Sequence, residues 1–124
     1  MPSILHHATA TEWTFKGGRN GDVTALIRRL EFGDYNRPQV WFRVVTFHGR
    51  ELVGYVRTLE DAATLAWEYS CALDSWRHEH AARRDESEQM PPAADLARAY
   101  RQAMDVRRLH ERDKQLGRNR ERGH

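Results

Sequence analysis

The sequence is short of cysteine, of lysine and of long apolar runs, and each shortage excludes a class of protein. Cys71 is the only cysteine among the 124 residues, so the chain cannot form a disulfide within itself. No stretch approaches the roughly 18 consecutive apolar residues of a membrane span, and residues 1–10 lack the basic and apolar regions of a secretory signal peptide. We therefore expect a cytoplasmic protein that does not enter a membrane.

Arginine supplies almost all of the positive charge, since lysine occurs only at Lys16 and Lys114. The net charge is +3 over residues 1–57, −5 over residues 58–90 and +4 over residues 91–124, which gives the overall +2. Arginine can bind a phosphate or a base edge through two parallel hydrogen bonds, which lysine cannot. The bias therefore suits a nucleic-acid ligand, although the codons of a GC-rich genome would produce the same bias.

Residues 40–57 are the most informative stretch of the chain and predict a β-hairpin. They contain two runs rich in β-branched and aromatic residues, joined by a three-residue turn at residues 48–50 in which Gly49 takes the left-handed conformation. The pairs that this turn predicts across the two strands are Phe47 with Glu51, Val45 with Val53, Arg43 with Tyr55, and Trp41 with Arg57.

This register sorts the side chains of the hairpin into two faces, because successive residues of a strand point to opposite sides. The apolar face holds Val40, Phe42, Val44, Leu52 and Val56, with Gly54 as a gap. We expect Phe42 and Val44 to be core residues packed under Leu59, Ala62 and Ala66. The other face holds Trp41, Arg43, Val45, Phe47, Val53, Tyr55 and Arg57. It is too aromatic for plain surface and too basic for a core, so we expect it to bind a ligand, or to be covered by the C-terminal helix or a partner subunit.

Two further strands are predicted before the hairpin, at residues 11–16 and 22–32, joined by a turn at Asn20-Gly21. A helix over residues 24–30 is the alternative for the second of them, because its apolar residues also fit a helical stripe. The turn before it and the strands after it favour a strand. The predicted fold is therefore α+β, with an antiparallel sheet of three to four strands over residues 11–57 followed by two long helices.

The two helices are predicted at residues 58–84 and 92–116, which completes a single domain from residue 11 to residue 116. Thr58 suits the N-cap of the first helix, and a Pro-Pro pair precedes the second. Residues 1–10 are expected to be mobile, and residues 117–124 are expected to form a disordered basic tail.

Apolar residues follow alternating three- and four-residue steps along the first helix. The far half of this stripe, Tyr69, Leu73 and Trp76, extends beyond what a short sheet can cover. We expect it to pack on the second helix, on another subunit or on both. The stripe therefore predicts self-association through these three residues.

No group of residues predicts catalysis, a metal ion or a cofactor. The glycines of residues 17–21 lack the Lys-Ser/Thr pair of a phosphate-binding loop and suit a hairpin turn. His78 and His80 are two residues apart, so they diverge too far on a helix to bind one metal ion. Cys71 has no evident His or Asp partner that would make it a nucleophile. We expect a protein that is not an enzyme and that needs neither metal nor cofactor.

In this chain a Trp-bearing strand is followed by a turn, then by a strand with an aromatic residue before a Thr, and then by a helix that opens Glu-Asp-Ala-Ala. The residues concerned are Trp41, Arg43, Gly54-Tyr55, Thr58, Glu60-Asp61-Ala62-Ala63 and Ala66. This order resembles the AP2-like DNA-binding fold of plant regulators and of the arm-binding domains of phage-type integrases. The resemblance covers residues 41–73 and implies a three-stranded sheet in the major groove, with Trp41, Arg43 and Arg57 as contacts. The long second half of the first helix and the helix after Pro92 depart from that family.

The predicted function is that of a small nucleic-acid-binding accessory or regulatory protein of bacterial, phage or plasmid type. Its predicted contact residues are Trp41, Arg43, Tyr55 and Arg57 of the hairpin, with Arg28 and Arg37 from the residues before it. Aromatic rings on a sheet can stack on bases while arginines meet phosphates. The alternative is a homo-oligomeric protein-interaction or inhibitor module that acts through the sheet face and the helical hairpin. A nucleotide ligand would suit the same chemistry.

Overall fold

In the part of the chain that the structure describes, five strands form one antiparallel sheet, and neighbours in the chain are neighbours in the sheet. The computed structural model describes residues 5–9, 11–18, 21–33, 36–81 and 89–122. The elements are β1 (Leu5–Thr9), β2 (Glu12–Phe15), β3 (Ala25–Phe32), β4 (Gln39–Thr46), β5 (Leu52–Val56), α1 (Leu59–His80) and α2 (Ala93–Arg122). The predicted α+β class, an antiparallel sheet followed by two helices, is confirmed.

Both ends of the chain contain more regular structure than the sequence predicted. Residues 5–9, expected to be mobile, form β1 and pair with β2, so the sheet has five strands instead of three or four. α2 continues to Arg122 instead of ending at residue 116, because loss of the apolar pattern is not a stop signal and no proline follows. Residues 82–84 of the first predicted helix lie outside the described residues.

The alternative of a helix over residues 24–30 is wrong, because residues 25–30 belong to β3, the central strand of the described sheet. β3 pairs with β2 on one side and with β4 on the other. Its first residues alternate between buried and exposed positions, as a strand with one covered face requires. The tertiary pairing on both edges outweighs the weak helical stripe in the same residues.

Both helices pack on the same face of the sheet, and the core lies between them and the strands. The buried core consists of Phe15, Ala25, Ile27, Phe42, Val44, Val53, Ala62, Ala66, Tyr69, Ala72, Leu73, Ala93, Leu96 and Ala97. Phe42 and Val44 belong to this core together with Ala62 and Ala66, and Leu59 packs against it. That prediction is therefore confirmed.

The turn of the central hairpin is longer than predicted. It comprises residues 47–50, and the Thr46 N–H donates a hydrogen bond of 2.8 Å to the Glu51 carbonyl across it. Gly49 has the predicted left-handed conformation, with φ of 83°, but Arg50 is also left-handed, with φ of 53°. A non-glycine residue rarely adopts this conformation, so the sequence did not indicate that Arg50 would be left-handed, nor that the turn would begin at Phe47.

The register of the hairpin is confirmed away from the turn and wrong beside it. Arg43 lies opposite Tyr55 as predicted, but a β-bulge follows and Val45 lies opposite Leu52 instead of Val53. The bulge exchanges the faces of two residues, because one extra residue reverses the alternation. Val53 is consequently buried in the core, while Leu52 is 43% exposed on the other face.

α1 and α2 are joined to each other by polar contacts as well as apolar ones. The N–H of Asp61 donates to Thr58 Oγ1 at 3.0 Å, which confirms Thr58 as the N-cap of α1. The buried Glu68 carboxylate of α1 accepts two hydrogen bonds of 2.9 Å from the Arg101 guanidinium of α2. This bidentate pair fixes the two helices relative to each other.

Tyr69 and Leu73 are buried in the chain's own core, which includes α2 residues, so neither is free to contact another subunit. Trp76 is partly buried and stacks on His80 with 4.2 Å between the ring centres. Tyr69 and Leu73 therefore pack within the described chain itself. Self-association through these three residues is not supported.

Candidate nucleic-acid interface

The face of the sheet opposite the helices is uncovered by the described residues. Since both helices contribute to the core on one side, the C-terminal helix does not cover the other side as one alternative expected. The side chains that β2 to β5 place on the opposite face are Glu12, Thr14, Leu26, Arg28, Leu30, Phe32, Gln39, Trp41, Arg43, Val45, Leu52 and Tyr55, and none of them is buried. We call this set of residues the open face.

A row of charged and aromatic residues crosses the middle of the open face. The strand registers place Glu12 opposite Arg28, Arg28 opposite Arg43 and Arg43 opposite Tyr55. Directly paired residues of antiparallel strands have their Cβ atoms about 4.5–5.5 Å apart. Two arginines are therefore held side by side at the centre of the sheet, with a carboxylate at one end of the row and a phenol at the other.

The two central arginines differ in their partners. The Arg28 guanidinium lies 3.7 Å from the Glu12 carboxylate, and both side chains are about half exposed. Arg43 Nε is inaccessible to solvent and has no hydrogen-bond partner among the described residues. A buried donor without an acceptor costs about 1–3 kcal/mol. The row therefore contains one guanidinium whose Nε donor is unused within the described residues.

Aromatic side chains flank the row. Tyr55 is 49% exposed at its end, so one part of its ring is available to a ligand. Trp41 lies two residues before Arg43 on β4, and the Arg57 guanidinium lies 4.4 Å above the centre of its ring. A cation at this distance is attracted to the ring face, so Arg57 is held on the open face although it follows the end of β5.

A shallow hollow of 480 Å³ lies over the row. Its lining residues are Glu12, Trp13, Leu26, Ile27, Arg28, Arg43, Val45, Arg50, Leu52 and Tyr55. Three arginines and one carboxylate surround it, so its charge favours an anion. Apolar residues of the lining, among them Leu26 and Val45, can contact a ring. The hollow can thus accept a group that combines a phosphate with a ring.

The structure brings together five of the six residues that the sequence predicted for the site. Trp41, Arg43, Tyr55, Arg57 and Arg28 lie on the open face. Arg37 lies in the loop between β3 and β4, exposed and two residues before β4 begins, outside the row. The sequence did not predict Glu12, Arg50 and Leu52 as site residues. The β2–β3 register brings Glu12 to the hollow, the left-handed conformation of the turn brings Arg50 there, and the bulge brings Leu52 there.

A second hollow, of 730 Å³, lies beside the C-terminal half of α1, between the β2–β3 loop and the β4–β5 turn. Among its lining residues are Tyr69, Cys71 and Arg77. Burial raises the pKa of Tyr69, and the nearby Glu51 carboxylate adds to this effect. Burial also raises the pKa of Cys71, which makes its thiol a poorer nucleophile at neutral pH. The described residues contain no group of three or more His, Cys, Asp or Glu side chains arranged for a metal ion.

The chain matches no protein-family model, no curated protein and no solved structure. The resemblance to AP2-like proteins stays a prediction. Within the described ranges, neither helix combines the length and the apolar character of a membrane span.

Proposed function

We propose that this protein binds nucleic acid through the open face and acts as a non-enzymatic accessory or regulatory protein. The observation that carries the proposal is the pairing of Arg28 with Arg43 at facing positions of β3 and β4. Like charges directly opposite on a sheet destabilise it by roughly 0.2–1 kcal/mol. An anion that lies between or above the two guanidinium groups would relieve this repulsion.

The donors of Arg43 support a phosphate as that anion. Its Nε is desolvated without an acceptor in the described chain, and Glu12 lies beside Arg28 at 3.7 Å. Arg43 therefore has the greater unmet demand for an acceptor. A phosphate oxygen is a strong acceptor that guanidinium groups bind in bidentate geometry.

The aromatic residues support a nucleic acid over a simple anion. Tyr55 lies across the ladder from Arg43 and Trp41 lies two residues away along β4, so a ligand that carries rings as well as phosphates fits the face better than an isolated phosphate. Stacking of a base on an aromatic side chain contributes about 1–3 kcal/mol. A sheet backed by a helix, with Trp and Arg side chains in front, is also the layout that the AP2-like resemblance implies.

The test is a binding titration of the full chain with duplex DNA, single-stranded DNA and RNA at two salt concentrations. Arg43→Met removes the guanidinium but keeps the apolar stem. We expect it to weaken binding roughly tenfold and to reduce the slope of log K against log salt by about one unit, as for one lost phosphate contact. Arg107→Met is the matched control, since it removes one charge from an exposed position on α2.

The control decides between specific and diffuse binding. Equal losses for Arg43→Met and Arg107→Met would show that net charge alone drives binding and would contradict the proposal. No binding to any of the three nucleic acids at low salt would also contradict it. The open face would then be a protein-interaction surface, which its exposed Phe32 and Leu52 would suit.

A further inference from the structure

α2 has two opposite faces, and only one of them contacts the rest of the described chain. The packed face consists of Ala93, Leu96, Ala97, Tyr100 and Met104, all of which are buried or partly buried. The exposed side chains that face the other way are Ala99, Gln102, Val106, Leu109, Asp113 and Leu116. At 100° per residue these six lie about half a turn away from the packed face. We call them the α2 seam.

The seam has the spacing of a coiled coil. Its members follow steps of three, four, three, four and three residues, which is the spacing of the a and d positions of a heptad repeat. Val106 and Leu109 are each 65% exposed, and Leu116 is 55% exposed. Large apolar residues repeated at this spacing on one exposed face favour a partner helix.

The end of α2 needs such a partner. Every side chain from residue 105 to residue 117 is exposed, so nothing in the described chain packs on this segment. Isolated helices of this length are marginally stable in water, because tertiary packing normally supplies most of the stability. Two exposed ion pairs, Arg107 with Glu111 and Arg108 with Asp105, add only a few tenths of a kcal/mol each.

We propose that the α2 seam is the interface with a second copy of this chain, whose α2 packs against it in the antiparallel direction. In the predicted interface, Val106 packs against Leu109 of the second copy, and Ala99 packs against Leu116 of the second copy; each such pair forms one layer. A third layer joins Gln102 to Asp113 of the second copy. The inference depends on α2 alone and is independent of the proposed function.

The direction follows from Asp113. In a parallel, in-register pair each seam residue meets its own counterpart, so two Asp113 carboxylates would meet at a buried position without a counter-charge. In the antiparallel pair Asp113 meets Gln102, whose amide can donate a hydrogen bond to the carboxylate. Burying like charges together is strongly unfavourable, so the antiparallel direction is favoured.

The alignment of the two helices follows from the residues that flank the seam. With Ala99, Val106 and Asp113 as the a positions of the heptad, Asp105 and Arg112 each directly precede an a position and are therefore g positions. In an antiparallel pair, the g positions of the two helices lie beside one another. The proposed alignment places Asp105 beside Arg112 of the second copy, and by symmetry Arg112 beside Asp105. If one helix is shifted by one heptad in one direction, Arg112 lies beside Arg112 of the second copy. If it is shifted in the other direction, Asp105 lies beside Asp105 of the second copy. The proposed alignment is thus the one with opposite charges in contact.

Sedimentation of the full chain over micromolar to high micromolar concentrations tests the interface. We expect a reversible dimer, and we expect Leu109→Asp to convert it to a monomer with an unchanged melting temperature of the α+β core. Leu52→Asp is the matched control, since it places the same charge at an exposed leucine of the open face. A monomeric parent chain would overturn the proposal. So would dissociation by Leu52→Asp but not by Leu109→Asp.

A charge exchange tests direction and alignment. Asp105→Arg and Arg112→Asp should each raise the dissociation constant roughly tenfold, because each turns two symmetric attractions into repulsions. The double variant should return it to within about threefold of the parent value. The exchange of Arg107 and Glu111, which lie off the seam, is the control and should change nothing. Failure of the double variant to recover would overturn the antiparallel alignment.

Discussion

The two faces of the sheet are made by the same strands, yet they meet opposite demands. On the covered face, Phe15, Ile27 and Val44 are almost completely buried. On the open face, the same strands hold Arg28 opposite Arg43 and leave the Arg43 Nε donor without a partner among the described residues. Alternation along a strand therefore separates the residues that stabilise the fold from those that do not. A residue of the open face that does not stabilise the fold is a candidate for binding.

The largest expected effect is on the covered face. Phe42→Ala should lower the free energy of unfolding by about 3–5 kcal/mol, because it removes a buried ring and leaves a cavity beneath α1. That loss is a large fraction of the total stability of a small domain. Leu52→Ala is the control on the open face and should cost less than about 1 kcal/mol, since Leu52 is already 43% exposed.

Urea or thermal unfolding followed by circular dichroism measures both variants. Similar losses for Phe42→Ala and Leu52→Ala would mean that both faces are packed and would remove the contrast between them. An unchanged melting temperature for Phe42→Ala would contradict the core described above.

The alternation of the central hairpin could be predicted from the sequence, and with it most of the site. Arg43 and Tyr55 form the predicted pair, and Trp41 lies with Arg43 on one face because they are two residues apart. Arg28 was named as a site residue but not placed opposite Arg43. That position depends on the β3–β4 register, which the intervening loop does not fix.

Where the prediction fails, the sequence carries little local signal for the structure that forms. The bulge that moves Leu52 to the open face and Val53 to the core accompanies a left-handed Arg50, which no local preference indicates. β1 forms because β2 offers an edge for pairing, although residues 5–9 carry little strand signal of their own. The last residues of α2 lack the apolar pattern from which the end of the helix was predicted.

A second prediction compares two arginines of α2, one paired with a buried carboxylate and one at an exposed ion pair. Arg101 donates two hydrogen bonds to the buried Glu68 carboxylate. Arg101→Met should lower the free energy of unfolding by about 1–2 kcal/mol, because the buried Glu68 carboxylate loses its partner. The loss is limited to this size because water can reach the carboxylate through the exposed side of the pair. Arg107→Met, at an exposed ion pair, should cost less than about 0.5 kcal/mol. Equal costs in urea unfolding would show that the buried position of Glu68 is energetically unimportant.

The smallest expected effect has the opposite sign and concerns Arg43. Arg43→Met removes a guanidinium that faces Arg28 and a buried Nε that has no partner in the described chain, while its thioether side chain can follow the apolar stem. Relief of the like-charge pair should leave stability unchanged or raise it by up to about 1 kcal/mol. The same variant should lose nucleic-acid affinity, so the two measurements move in opposite directions. A residue kept at a cost to stability but needed for binding is a functional residue. If Arg43→Met instead destabilised the chain as much as Arg101→Met does, Arg43 would belong to the structural residues, and the open face would lose its strongest argument for binding phosphate.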